Sequence, residues 1–198
     1  MPKLDPRLIA VKEMIWSKTH ADIGSDHGGL LVELLDCGRI EFGIAIENNL
    51  QPFENSQRAL SGLAAEVRLG DGLGVLSRGE VDSISICGMG AKTMLRILDA
   101  HPDRLPDKVV LQPNRHAEFV RGWGLSNGFH LQQEFVSRGH WPYAILCFAR
   151  GGLDVNQLPK PDVAYNGLDR DAALLFGPHE LRRDGPMLES QLLSLIHI

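Results

Sequence analysis

Short apolar runs alternate with stretches of helical periodicity along most of the chain, and that rhythm predicts the elements. Leu4, Leu8, Ile9, Val11 and Ile15 fall near helical spacing over residues 4–16, with Asp5-Pro6 as cap and first-turn pair. Residues 19–23 read as a strand broken by Gly24, 29–35 as a helix and 42–46 as a second strand. A helix over 51–62 leads to a strand over 66–69 that ends at Gly70-Asp71-Gly72. A β-rich run over 82–87 closes on Gly88-Met89-Gly90 before a helix over 92–100. The strand over 108–111 stops at Gln112-Pro113-Asn114, and a helix follows over 116–125. Strands over 129–136 and 143–149 are then joined only by Gly139-His140-Trp141-Pro142, which is a hairpin signal.

Strands alternating with helices imply an α/β fold whose parallel sheet is covered on both faces. A closing hairpin makes seven strands, mostly parallel, and resembles the Rossmann-like sheet of methyltransferases, whereas ordinary dinucleotide-binding sheets stay parallel. Beyond Gly151-Gly152 the chain turns polar and proline-rich, at Pro159 and Pro161, and reads as a linker. From Asp169 a helical pattern is interrupted at Gly177-Pro178 and Gly185-Pro186. Residues 1–152 are therefore expected to form the main domain, and 153–198 a linker and a short helical extension.

Composition narrows the class. At 198 residues, 43% apolar and 23% charged, the chain is a globular domain with an appendage, and wholesale disorder is excluded. No apolar run is long enough to span a membrane, and the N-terminus lacks the apolar core of a secretory signal. Cys37, Cys87 and Cys147 are too few and too scattered for a disulfide framework, so a reduced cytoplasm is expected. His101, His116, His130 and His140 show no metal spacing, and no metal is expected. A net charge of −5 argues against indiscriminate nucleic-acid binding. Residues 92–150 nevertheless carry eight basic and five acidic groups, offering a local patch, although solvated helix faces are the plainer reading for most of those arginines.

Candidate chemistry begins in the first strand-to-helix loop, Asp22-Ile23-Gly24-Ser25-Asp26-His27-Gly28-Gly29. Glycines there let a ligand approach the backbone closely, but Asp26 stands where the nicotinamide fingerprint needs its second glycine. Asp22 and Asp26 would also repel a pyrophosphate. A phosphate-free ligand with a cationic end suits the loop better, and S-adenosylmethionine has an ammonium, a sulfonium, a ribose diol and an adenine. Asp22 is placed to hold the methionine end, Glu47 the ribose hydroxyls and Asp71 the adenine amine. These acids follow one another at one strand-helix unit each, at the carboxyl ends of adjacent strands, where open α/β sheets bind ligands. Gly24, Ser25, Asn48, Gly72 and Gly88 complete the cofactor set. The alternative for any one acid is a helix cap.

The acceptor side is less explicit. Cys87-Gly88-Met89-Gly90 offers neither amide nor carboxylate to an exocyclic amine, but its small residues allow close backbone approach. Gln112-Pro113-Asn114 brings polar groups to the same crevice, and Asn114 also reads as a cap for the next helix. Met89, Gln112, Pro113, Asn114, Arg115 and His27 form the substrate set, with loop orientation as the plainer role of His27. Cys87 reads as a buried strand-end residue, not a nucleophile.

Ala21-Asp22-Ile23-Gly24-Ser25-Asp26-His27, Gly70-Asp71-Gly72-Leu73, Gly88-Met89-Gly90 and Leu111-Gln112-Pro113-Asn114 with His116 resemble the bacterial tRNA (adenine-22 N1)-methyltransferase family. Asp169-Arg170-Asp171-Ala172 and Gly177-Pro178 extend the likeness, in order, over roughly residues 5–190. The resemblance implies a class I methyltransferase that uses S-adenosylmethionine, releases S-adenosylhomocysteine and acts on tRNA. It also implies that Asp26 matters for activity. Adenine N1 attacks through an in-plane lone pair, so a nearby carboxylate would steady the cationic product or accept from the N6 amine. The paired or stacked base would first be exposed by flipping. The family's C-terminal helical coiled-coil module would only be starting where this sequence stops, as in a truncated member. A small-molecule methyltransferase would need a lid, and no insertion is long enough for one. A binding module with a degenerate site is opposed by the intact Asp22, Glu47 and Asp71. No obligate protein partner is suggested.

Overall fold

The computed structural model describes residues 4–25, 27–137, 142–153 and 160–183. Its strands are β1 (Thr19–Ile23), β2 (Phe42–Glu47), β3 (Ala65–Leu69), β4 (Ser83–Met89), β5 (Lys108–Pro113), β6 (Phe129–Ser137) and β7 (Tyr143–Arg150). They form a single seven-stranded sheet in the order β3-β2-β1-β4-β5-β7-β6. The first five pair in parallel, and β7 runs antiparallel to both β5 and β6. The chain moves outward from β1 through β2 to β3, then returns to the other side of β1 with β4. That reversal creates a switch point between β1 and β4, where the loops diverge and leave a crevice.

The helices are α1 (Pro6–Met14), α2 (Gly29–Asp36), α3 (Leu50–Ala59), α4 (Ala91–Ala100), α5 (Ala117–Ser126), α6 (Arg170–Phe176) and α7 (Pro178–Leu181). Asp5 caps α1 by accepting from the Arg7 amide at 2.9 Å, and Pro6 fills the first turn, where no amide is needed. On one side of the sheet, Ile44, Ile46, Ile84, Ile86, Val109 and Leu111 pack with Met94, Ile97 and Leu98 of α4 and Val120 and Trp123 of α5. On the other, Ala45, Val110, Ile145 and Cys147 meet Val11 of α1 and Leu30, Leu31 and Leu34 of α2. Burying each such aliphatic side chain contributes about 1.5–3 kcal/mol.

Residues 160–183 lie against β6 and α5. Asp162 accepts from the Leu131 and Ala164 amides, and Asp169 caps α6 through Ala172. The expected break at Gly177-Pro178 is present, with Gly177 at φ 95° and Pro178 opening α7. Arg121 departs from the expectation of solvated arginines. It is 2% exposed, pairs with Glu134, and donates to the carbonyls of Leu174 and Leu175. Asn114 also departs, because α5 opens at His116, which sits at φ 62° with no side-chain cap. The Asn114 amide is spent on the end of β4 instead. Asp26, the Gly139-His140-Trp141 part of the hairpin turn, Pro159 and Gly185-Pro186 lie outside the described residues.

Candidate functional site

Strand register sets the positions of the three acids. Asp22 lies opposite Ala45 on β2 and Ser85 on β4. Glu47 lies two residues beyond Ala45, opposite Leu69, and Asp71 follows two residues after Leu69. The acids therefore sit at the carboxyl ends of three adjacent strands, as expected, and climb outward from β1 to β3. Two backbone bonds tie their loops together, Gly24 N to the Ile46 carbonyl and Gly70 N to the Glu47 carbonyl, each 2.8 Å.

Asp22 is 3% exposed, and its Oδ1 accepts from Ser85 Oγ at 2.6 Å. Burial pushes its carboxyl above the usual range, while the Ser85 and Ser25 hydroxyls pull the other way. Ser25 Oγ is buried near enough to favour the anion but, among the described residues, meets no partner in good hydrogen-bond geometry. Glu47 is also buried, at 4% exposure, and accepts from Ser56 Oγ of α3 at 3.2 Å. Asp71 is different. Its carboxylate is largely solvated and pairs with Arg96 of α4 at 3.2 Å. Asn48 is exposed and accepts from Asn49, and Gly72 starts a 3-10 turn with Ile97 packed against it.

The β4 end frames the other side of the crevice. Gly88 has φ 71°, and open space lies where a side chain would begin, so its backbone can meet a ligand directly. The Gly88 amide donates to Gln112 Oε1 and its carbonyl accepts from Asn114 Nδ2. Gln112 is 1% exposed, so its polar group braces this turn. Met89 reaches back over Gly24, where a Cβ would fall 2.3 Å from the Met89 Cε methyl. Pro113, Asn114 and Arg115 line a hollow of about 180 Å³ with His116, Leu175 and Phe176. His27 is exposed beside Asn55, next to a larger hollow of about 520 Å³ that includes Leu4 and Arg58. Burial and the Asp22 charge push the Cys87 thiol well up, which leaves it a neutral strand-end group.

Residues 4–146 match the model of the methyltransferase domain family. A tRNA (adenine(22)-N(1))-methyltransferase of Bacillus subtilis is 36% identical over 184 residues, covering 89% of this chain and 74% of that protein. The chain belongs to this methyltransferase family. The crystal structure of the B. subtilis M1A22 tRNA methyltransferase TrmK superposes with a TM-score of 0.89 at 31% identity, covering all of this chain and 84% of that one. A Streptococcus pneumoniae structure, a putative tRNA (m1A22) methyltransferase in complex with S-adenosyl-L-methionine, gives 0.84 at 25% identity over 98% and 89% of the two chains.

Behind Asp22 in this methyltransferase stand three residues that none of its sequence motifs includes. His20, Ser83 and Ser85 are each fully buried, and His20 bonds both serines, at 2.7 and 2.9 Å. Burial, with the Lys108 charge, lowers the His20 pKa to about 3, so its ring is neutral. The signal was present as polar residues two apart in Thr19-His20-Ala21-Asp22 and Ser83-Ile84-Ser85. Among the described residues, no cluster of three or more His, Cys, Asp or Glu could hold a metal, and no helix is long and apolar enough to cross a membrane.

Proposed function

We propose that this chain transfers the methyl group of S-adenosylmethionine to N1 of adenine 22 in tRNA. One observation carries the reading. Asp22 is a buried carboxylate at the switch point whose neighbours are hydroxyls, and among the described residues no cation pairs with it. A buried anion without a counter-charge is costly, so the site is completed by a ligand that brings one, as the cofactor's ammonium does. The buried Glu47 suits a ribose diol, Asp71 suits an adenine amine, and the open backbone of Gly88 suits a close contact. The relatives' names point to the same cofactor and substrate.

Bound there, the cofactor supplies a methyl group on a positively charged sulfur. Asp22 and Asp71 would hold its two ends and Glu47 the ribose between them, with the Gly88–Met89 turn bordering the path to the acceptor. Adenine N1 needs no base to attack, so this chain's main contribution is alignment. Asp26, following Ser25 in the loop, steadies the cationic product ring or accepts from its N6 amine. Met89, Pro113, Asn114, Arg115 and His27 form the surface toward tRNA in this reading. In this reading the reaction belongs to the cytoplasm.

Incubation with labelled S-adenosylmethionine and unmodified bacterial tRNA, then nuclease digestion and mass spectrometry, should yield 1-methyladenosine. Label in small molecules but not in RNA would instead favour a small-molecule acceptor. Asp26→Asn should bind S-adenosylhomocysteine normally yet lose at least about tenfold in turnover, in line with removal of one electrostatic contact. Full turnover in that variant removes the role.

A further inference from the structure

Behind Asp22, buried polar groups run along β1 and β4 toward the opposite end of the sheet. Asp22 pairs in register with Ser85, and His20 with Ser83, so all four side chains share one face. Ser17 Oγ lies 2.7 Å from Ser83 Oγ, and Ser83 Oγ lies 2.7 Å from His20 Nδ1. His20 Nε2 is 2.9 Å from Ser85 Oγ, which donates to Asp22 Oδ1 at 2.6 Å.

Counting hydrogens fixes the direction of this chain. Ser85 has one hydrogen and gives it to the Asp22 carboxylate, so it must accept from His20 Nε2–H. The imidazole is fully buried, and burial together with the Lys108 ammonium opposes a cationic ring. A neutral ring protonated at Nε2 must accept at Nδ1, so Ser83 donates there and in turn accepts from Ser17. All four bonds then point their hydrogens toward Asp22, and aligned bonds of this kind reinforce one another. Among the described residues, Cys87 on β4 also faces Asp22, as a neutral thiol that Arg7 reaches too.

We propose that His20 is a positioning residue for cofactor binding, acting as the Nε2–H tautomer to hold Ser85, and through it the Asp22 carboxylate, in the orientation and anionic state that receive the cofactor's ammonium. The proposal rests on the reading of Asp22 given above. It adds a residue that never touches the cofactor and a defined tautomer.

The test uses the full chain, with His20→Phe keeping a ring and His20→Gln placing an amide nitrogen where Nε2 stands. S-adenosylhomocysteine is titrated into each protein from pH 5 to 8, and the wild-type imidazole nitrogens are read by 15N NMR. The wild type should show the Nε2–H tautomer. His20→Phe should lose about tenfold in affinity, as expected for weakening a charge-assisted bond, and its acid limb of binding should move to higher pH. His20→Gln should recover most of both. An Nδ1–H or cationic ring in the wild type overturns the proposal, and this readout stands even if His20→Phe does not fold. A folded His20→Phe with wild-type affinity and pH dependence overturns it as well. A wild type that does not bind S-adenosylhomocysteine overturns the reading of Asp22 itself, and the role of His20 falls with it.

Discussion

On one side of the sheet, β1 and β4 present Ala21, Ile23, Ile84 and Ile86 to a continuous apolar core under α4 and α5. On the other, the same strands present His20, Asp22, Ser83 and Ser85, which are equally buried. There β1 adds no member to the apolar cluster under α1 and α2, and β4 adds only the half-buried Cys87. One pair of strands thus supplies core on one face and a polar conduit on the other. The apolar face gains free energy from removal of area from water. The polar face must offset desolvation with hydrogen bonds, and among the described residues it gives Asp22 no counter-charge. In the proposed site, stability and ligand binding fall to opposite sides of the same backbone, and substitutions can separate them.

The largest expected effect is on the apolar side. Ile84 is fully buried, and Ile84→Ala should cost about 2–5 kcal/mol of unfolding free energy in urea titrations. Its affinity for S-adenosylhomocysteine, measured below the unfolding transition, should stay close to wild type. A large loss of affinity without unfolding would show that the two faces are coupled. Asp22→Asn makes the converse case. Removing the charge should weaken S-adenosylhomocysteine binding by about 10- to 100-fold, the range for a charge-assisted contact. It should leave stability unchanged or raised, because a desolvated anion is gone. Undiminished affinity in the folded variant would remove Asp22 from the cofactor site.

Acid stability gives a third contrast. His20 has a pKa of about 3 when folded and 6.5 when free, so the unfolded chain binds more protons between those values. Stability should therefore fall as pH drops from about 6.5 toward 3, by up to about 1.4 kcal/mol per unit from this residue. Asp22 acts in the opposite sense. Its folded pKa is raised above 3.8, so its contribution is fullest below 3.8 and declines as pH rises through the raised value. Urea titrations at pH 7, 6 and 5 should show the loss in the wild type and a flatter profile in His20→Phe. Parallel profiles would mean that His20 is protonated in the fold.

Most of the sheet was legible because its strands are short apolar runs punctuated by glycine, and because the hairpin after Gly128 has too few residues for a crossover helix. Spacing by strand-helix units was enough to bring Asp22, Glu47 and Asp71 to neighbouring strand ends. What stayed hidden depends on contacts between distant segments. Arg121 reads as an ordinary helical arginine until α6 covers it and Glu134 appears beside it from β6. Gln112 and Asn114 read as groups free for a substrate, yet both are engaged with Gly88 across the β4–β5 pairing. His20 was missed because one polar residue in an apolar strand gives no sign of its partners. Only register with Ser83 and Ser85 supplies them.

The smallest effect concerns the outermost acid. Asp71 and Arg96 form a solvated pair at 3.2 Å, both more than half exposed, and such pairs contribute about 0–1 kcal/mol to folding. Arg96→Ala should therefore leave the urea midpoint nearly unchanged. In the proposed site Asp71 must turn to the cofactor's adenine amine, so the arginine competes for the same carboxylate. Removing it should tighten S-adenosylhomocysteine binding by no more than about twofold at low salt, and the gain should vanish near 0.5 M salt, where the pair is already screened. The buried Asp22 contact lies out of reach of that screening, so salt should separate the outer end of the crevice from the inner one. Weaker binding in Arg96→Ala would instead place the guanidinium itself against the cofactor.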